Sequence, residues 1–217
     1  MGVVTRLVAF AHRRPWWWLG AYLVVTAALY QLAIRAPLYT PFIVEPTALD
    51  REIPLLPWTA APYLTYFALM PSFVWLARRH PERGALLVAA ALVVVGNLTI
   101  NILVPTELAE PLTPERAGGW LLAHIVSGDT PRAAVPSGHL ALPLALSILA
   151  FRRGLGGRWL FVPWTAVMGG AILTTRQHYL VDAGAAMVWG SVGPILTWRL
   201  VTSAVRGGER PAPTRGG

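Results

Sequence analysis

No cysteine and no lysine occur in this chain of 217 residues. Without cysteine there is no disulfide, no thiol nucleophile and no zinc–thiolate site. Without lysine, all 18 basic side chains are arginine. Charge of either sign is sparse: 13% of residues are charged against 55% hydrophobic, and mean hydropathy is +0.52. That is the profile of a polytopic membrane protein in a single domain. The net charge of +8 would suit a nucleic-acid partner if it formed a patch, but the arginines alternate by loop, so the bilayer is the expected partner and nucleic acid is not. No internal repeat is visible, which argues against an inverted-repeat transporter.

What is present is a series of uncharged runs separated by short charged turns. Residues 1–14 are short and basic, and Pro15–Ile34 is about long enough to cross a bilayer, with Trp16, Trp17 and Trp18 at its interfacial end. The run exceeds a signal-peptide core and no cleavage box follows, so it reads as a retained signal anchor. Further spans are expected at Trp58–Ala77, where Pro62 and Pro71 can bend the helix, and at Ala85–Val104. A fourth runs from Ser137–His139 to Arg152, a fifth covers Trp159–Thr175, and a sixth runs from near His178 to about Val201. The uncharged stretch Ala117–Gly128 is too short to cross and reads as interfacial or re-entrant. The expected fold is therefore all-α, a bundle of six transmembrane helices. Residues 1–205 form its single domain, and 206–217, rich in Gly, Pro and Arg, are expected to be a disordered cytoplasmic tail.

Six spans place alternate loops on opposite sides of the membrane. One side collects Arg6, Arg13, Arg14, Arg78, Arg79, Arg83, Arg152, Arg153, Arg158, Arg199, Arg206, Arg210 and Arg215 against only Glu82 and Glu209. The other holds Arg35, Arg51, Arg116, Arg132 and Arg176 together with the remaining acids. The positive-inside rule then puts both termini in the cytoplasm of a multi-pass cell-membrane protein. It also brings the start of span four and the start of span six to the same, extracytoplasmic face.

Those two starts carry the ionisable groups. Pro136-Ser137-Gly138-His139 opens an apolar run, where a helix N-terminus offers free backbone N–H groups to an anion. Gly138 permits close approach, and the Ser137 hydroxyl can donate or cap. Near the second start, Arg176, His178 and Asp182 stand at the junction of two uncharged runs. On a helix, His178 and Asp182 share a face, so the aspartate can fix the imidazole tautomer and stabilise its charged form. Together these groups suit phosphoryl transfer. Arg176, Ser137 and the N–H groups at Gly138 would stabilise phosphate oxygens, His178 would be the nucleophile, and His139 would protonate the leaving alcohol. No carboxylate cluster near the motifs suits Mg²⁺, so the chemistry is expected to need no metal and no cofactor.

The pairing of Pro-Ser-Gly-His with a later His-x-x-x-Asp resembles the type 2 phosphatidic acid phosphatase superfamily over roughly the second half of the chain. The resemblance implies a six-helix membrane enzyme with extracytoplasmic motifs and a phosphohistidine intermediate. The second family motif matches at Pro136–His139. In the third, His178 and Asp182 fit, but Arg176 stands only two residues before the histidine and Thr175 replaces a serine. Thr-Arg-Gln-His-Tyr is closer to the sphingolipid-synthase and inositol-phosphorylceramide-synthase branch, which moves phospho-head groups between alcohols. The first family motif needs a lysine and is absent; Arg132 is the nearest substitute for phosphate binding and Arg116 a more distant one.

The reading that follows is metal-independent hydrolysis of a lipid monophosphate or diphosphate at the extracytoplasmic face. The alternatives are a phospho-head-group transferase using an alcohol in place of water, and a non-catalytic transporter or scaffold using the same histidines for binding. Outside the motifs, His124 reads as an interfacial packing residue, Asn97 and Asn101 as an interhelical hydrogen-bonding face, and Arg132 alternatively as an ion-pair partner of Asp129. The oligomeric state is left open.

Overall fold

A computed structural model describes residues 2–36 and 38–208. In chain order the helices are α1 (Val3–Arg13) and α2 (Pro15–Arg35), then α3 (Ala48–Glu52), α4 (Ala60–Leu64), α5 (Tyr66–Ala77) and α6 (Arg83–Leu103). They continue as α7 (Trp120–Gly128), α8 (Gly138–Arg152), α9 (Phe161–Thr174) and α10 (Leu180–Gly208). Two three-residue strands, β1 (Phe42–Val44) and β2 (Thr106–Leu108), pair in parallel and are the exception to the all-helical expectation. Residues 206–208, expected in a disordered tail, are instead the end of α10, which stays helical to Gly208; residues 209–217 lie outside the described residues.

Among the described residues, four helical segments are long and apolar enough to cross a membrane: Pro15–Arg35, Pro57–Ala77, Arg83–Leu103 and Leu180–Gly207. The fourth and fifth expected spans form shorter helices, α8 with 15 residues and α9 with 14. A perpendicular crossing takes about 20 residues, so these two fall short by helix length alone. The outer faces of the long helices leave large apolar side chains exposed, among them Val24, Phe67, Met187 and Val188. In water such surface would be costly, and against hydrocarbon it is the expected exterior.

Helix α6 is the hub, packing against α1, α2, α5, α8 and α10. Its composition explains this: it is built mostly of Val, Ala, Leu and Gly, and most of its side chains are buried. In a bilayer, helices associate through close packing rather than through escape from water, so small residues decide where backbones meet. At Gly84 a Cβ would lie 2.3 Å from the Val8 carbonyl oxygen, which is how α1 comes to lie against α6. At Gly190 a Cβ would lie 2.8 Å from the Ala141 carbonyl oxygen, so α10 and α8 touch backbone to backbone. The basic N-terminal segment is thus a packed helix rather than a simple lead-in to the first span. Of the three consecutive tryptophans, Trp16 and Trp17 are exposed, while Trp18 is buried and stacks on Tyr22 with ring centroids 5.6 Å apart.

The second span is broken once, at Thr65, between its two prolines. Thr65 separates α4 from α5, its N–H donating to the Pro62 carbonyl at 3.0 Å, and Pro71 lies inside α5. At one end of the bundle the arginine-rich turns converge. Arg153 Nε donates to Glu82 at 3.0 Å, the Arg153 carbonyl contacts His80 Nε2 at 3.0 Å, and the guanidinium lies 4.7 Å from the Trp198 ring centroid. The two histidine motifs lie at the opposite end, with α3 and the β1–β2 pair.

Candidate active site

The start of α10 is built around one carboxylate. Asp182 is the third helical residue, and its Oδ2 accepts the Tyr179 N–H at 2.8 Å, the carboxylate half of a capping box. The same oxygen lies 3.3 Å from His178 Nδ1. In the tautomer that carries its proton on Nδ1, His178 donates to Asp182 and leaves the Nε2 lone pair free. Both side chains are buried, and Asp182 Oδ1 has no partner among the described residues. Asp182 therefore both closes the helix and fixes the imidazole, two tasks that its place four residues after the histidine permits.

The second motif is joined directly to this turn. The Ser137 N–H donates to the Asp182 carbonyl at 3.4 Å, and the peptide between Val135 and Pro136 is cis. Ser137 is the N-cap of α8 by position, but its hydroxyl makes no capping bond; it is buried and has no partner among the described residues. Of the two roles open to it, donating or capping, the cap is not made, and the fully buried residue is no part of the wall of the cavity that the histidines line. Behind the loop, Asn97 Nδ2 donates to the Pro136 carbonyl at 3.0 Å and Asn101 Nδ2 to the Ala133 carbonyl at 3.1 Å. The asparagine face thus pins the loop into α8 instead of bonding to another helix.

His139 is half-buried between two aromatic rings. Tyr63 stacks on it with centroids 4.4 Å apart, its hydroxyl 3.4 Å from His139 Nδ1, and Tyr66 lies at 4.4 Å on a tilted plane. Sequence reasoning missed this pair of tyrosines, although their three-residue spacing in a proline-broken span was the available signal. The His139 and His178 rings are 6.0 Å apart. Both line a cavity of about 550 Å³ whose wall also includes Gly138, Arg176 and Arg132. Apart from these groups the wall is largely aliphatic and aromatic, with Leu23, Phe67, Met70, Val94, Leu98 and Leu142 among its residues.

The two arginines at the cavity differ. Arg176 is exposed, adopts a left-handed backbone with φ 54°, and reaches the Ile53 carbonyl at 3.3 Å. Arg132 does not pair with Asp129; its Nε donates to Glu107 at 3.0 Å, and Asp129 instead accepts from Tyr30. Arg116 is exposed on the turn Pro114–Arg116 and is no part of the cavity wall. His124, expected as a packing residue, is exposed on α7 and lines the cavity.

Asp50 was legible only as a loop acid. It is buried, its Oδ1 accepts the Leu180 N–H at 2.7 Å, and its Oδ2 takes the Thr47 N–H and hydroxyl. The first two orphan N–H groups of α10 are thereby met by two different carboxylates. Burial pushes the Asp50 carboxyl up, but the hydrogen bonds from Thr47 and Leu180 outweigh it and hold the pKa below its ordinary value. Among the described residues no group of three His, Asp or Glu side chains is arranged to share a metal ion.

Comparison with family models, with curated proteins and with solved structures gives no match to this chain.

Proposed function

We propose that this chain is an integral membrane lipid phosphatase that works through a phosphohistidine without a metal ion, at the extracytoplasmic face of a six-span bundle. The observation that carries the reading is the 6.0 Å separation of the His139 and His178 rings on the wall of one largely apolar cavity. One phosphate ester can touch both rings while its chain lies against the apolar wall.

His178 Nε2 attacks phosphorus, and the bond from phosphorus to the lipid oxygen breaks. His139 gives its proton to that oxygen, and the lipid alcohol leaves. Asp182 holds the Nδ1 proton and stabilises the charge that develops on the imidazole. Water then attacks the phosphohistidine and passes a proton to His139, the phosphorus–nitrogen bond breaks, and inorganic phosphate departs. Arg176 and the backbone N–H groups at the start of α8 carry the charge of the phosphate oxygens, while Ser137 is fully buried and stands off the cavity wall. Arg132 contributes less, since Glu107 already balances it.

The test uses purified protein, a lipid monophosphate labelled on phosphorus, excess EDTA, and inositol or glycerol as competing acceptor. Release of labelled inorganic phosphate that survives chelation, with acid-labile label on the protein, is the expected result. Loss on chelation with rescue by Mg²⁺ would replace the scheme with metal-assisted hydrolysis. Label passing mainly to the added alcohol would favour the head-group transferase that the Thr175-Arg176-Gln177-His178 stretch resembles.

A further inference from the structure

Two side chains on the cavity wall hold an unexplained polar atom each. Asn97 and Asn101 are buried, lie one helical turn apart on α6, and both line the cavity. The Nδ2 of each is committed to a backbone carbonyl, of Pro136 and of Ala133. Those bonds settle the orientation of both carboxamides, because only the amino side can donate to a carbonyl. Both Oδ1 atoms are then acceptors, and neither has a partner among the described residues. Buried polar atoms are nearly always satisfied, so a matched pair left open beside a cavity calls for a donor that arrives with a ligand.

The ionised oxygens of a phosphate accept and cannot be that donor. The donor must be an O–H or N–H group elsewhere on the ligand, and on a lipid phosphate that carries no amine or amide it is an alcohol hydroxyl. Position says where on the ligand it sits. A Cβ on Gly138 would lie 3.6 Å from Asn97 Nδ2, so this face borders the N-terminus of α8 where the phosphate belongs. One turn further along the same helix face, away from the loop, the cavity wall becomes apolar at Val94. Asn97 thus stands between the phosphate cradle and the apolar lining at Val94, with Asn101 one turn nearer the 133–136 loop.

We infer that Asn97 and Asn101 form a hydroxyl-recognising subsite, and that the preferred ligand is a lipid phosphate with a free hydroxyl on its own alcohol, between the phosphate ester and the chain. The inference rests on the lipid-phosphate reading and narrows its substrate class. Lipids without such a hydroxyl leave both amide oxygens unmet, and a site built to bond a hydroxyl discriminates strongly against an analogue that lacks it.

The test is a binding comparison on the full chain in nanodiscs. It uses a matched pair of non-hydrolysable phosphonates, the analogue of a monoacylglycerol phosphate with its free hydroxyl and the corresponding deoxy compound. Wild type should bind the hydroxylated compound at least about tenfold more tightly, and Asn97→Leu and Asn101→Leu should each erode that ratio. Because the asparagines also hold the 133–136 loop, the wild-type ratio decides even if a variant misfolds. Equal affinity of wild type for both compounds overturns the subsite while leaving the phosphatase reading intact. Binding of neither removes the parent reading and the subsite with it. A gain in deoxy-compound affinity on adding glycerol would show that the hydroxyl belongs to a separate acceptor, and would overturn the assignment to the lipid.

Discussion

Asp50 accepts a hydrogen bond from the Leu180 N–H at 2.7 Å, tying α3 to the first turn of the helix that carries Asp182. The bond means that the loop between α2 and α4 is part of the site's frame. Its carboxyl has a folded-state pKa below the ordinary value, so it stabilises the fold above the usual carboxylate range near about 4 and ceases to do so as pH falls through the lowered value. Asp50→Ala should cost about 1 kcal/mol, as loss of a helix cap does. Hydrogen exchange at the Leu180 amide is the measurement. Exchange should be roughly fivefold faster in the variant at neutral pH, and acidification below about pH 4 should bring wild type toward the variant. An Asp50→Ala protein with unchanged protection would show that the cap carries no weight.

The histidines should separate by leaving group. His178→Ala should abolish covalent labelling from a phosphorus-labelled lipid phosphate. Asp182→Asn should reduce it by roughly 10²–10⁴-fold, since the imidazole loses its tautomer and the Tyr179 N–H loses its carboxylate. His139→Ala should slow an ordinary lipid phosphate by about 10²–10⁴-fold but barely affect an aryl phosphate whose phenol leaves unaided. Labelling that persists in His178→Ala and vanishes in His139→Ala would exchange the two roles.

Much of this arrangement could be read from the chain, and the reason is local. Ser137, Gly138 and His139 are adjacent, and His178 and Asp182 are one helical turn apart, so local geometry alone keeps the members of each motif together. Alternating charge then predicted one end of the molecule for both, and the Ser137–Asp182 backbone bond is the contact between them. What stayed hidden depends on contacts between distant segments. Asp50 caps a helix far along the chain, Tyr63 and Tyr66 enclose His139 across the break at Thr65, and β1 pairs with β2 across the whole of α3 to α6. Nor does hydropathy distinguish lengths: α8 and α9 read as full spans although their helices are shorter.

Gly190 offers a way to disturb the site without touching it. A Cβ there would meet the Ala141 carbonyl oxygen at 2.8 Å and its Cα at 3.1 Å, and backbone cannot yield as a flexible side chain would. Ala141 is two residues beyond His139, so separating α10 from α8 shifts one histidine relative to the other. Gly190→Val should lower melting temperature and cut turnover of lipid phosphate well over tenfold, since small displacements of aligned groups cost that much. The neighbouring Gly184 has nothing within 4 Å of its Cβ position, and Gly184→Ala is the control that should leave turnover nearly unchanged. Equal activity of the two variants would mean that the α8–α10 contact does not set the site.

The last prediction concerns sidedness, and the absence of cysteine makes it clean to measure. Single cysteines placed in an otherwise thiol-free chain report only their own position. Arg79→Cys and Arg152→Cys sit on exposed positions of the two turns that His80 and Arg153 join, so they must face the same compartment whatever the orientation. Glu52→Cys and Glu115→Cys are exposed at the opposite end, beside the histidine motifs. By the positive-inside rule, thirteen arginines on the first side against five on the second predict a cytoplasmic first side. A membrane-impermeant maleimide added to intact cells should therefore label Glu52→Cys and Glu115→Cys, and reach Arg79→Cys and Arg152→Cys only after permeabilisation. The reverse pattern would leave the two histidines together but turn the site to the cytoplasm. A split between Arg79→Cys and Arg152→Cys would contradict the packing of the turns, and with it the bundle that brings His139 to His178.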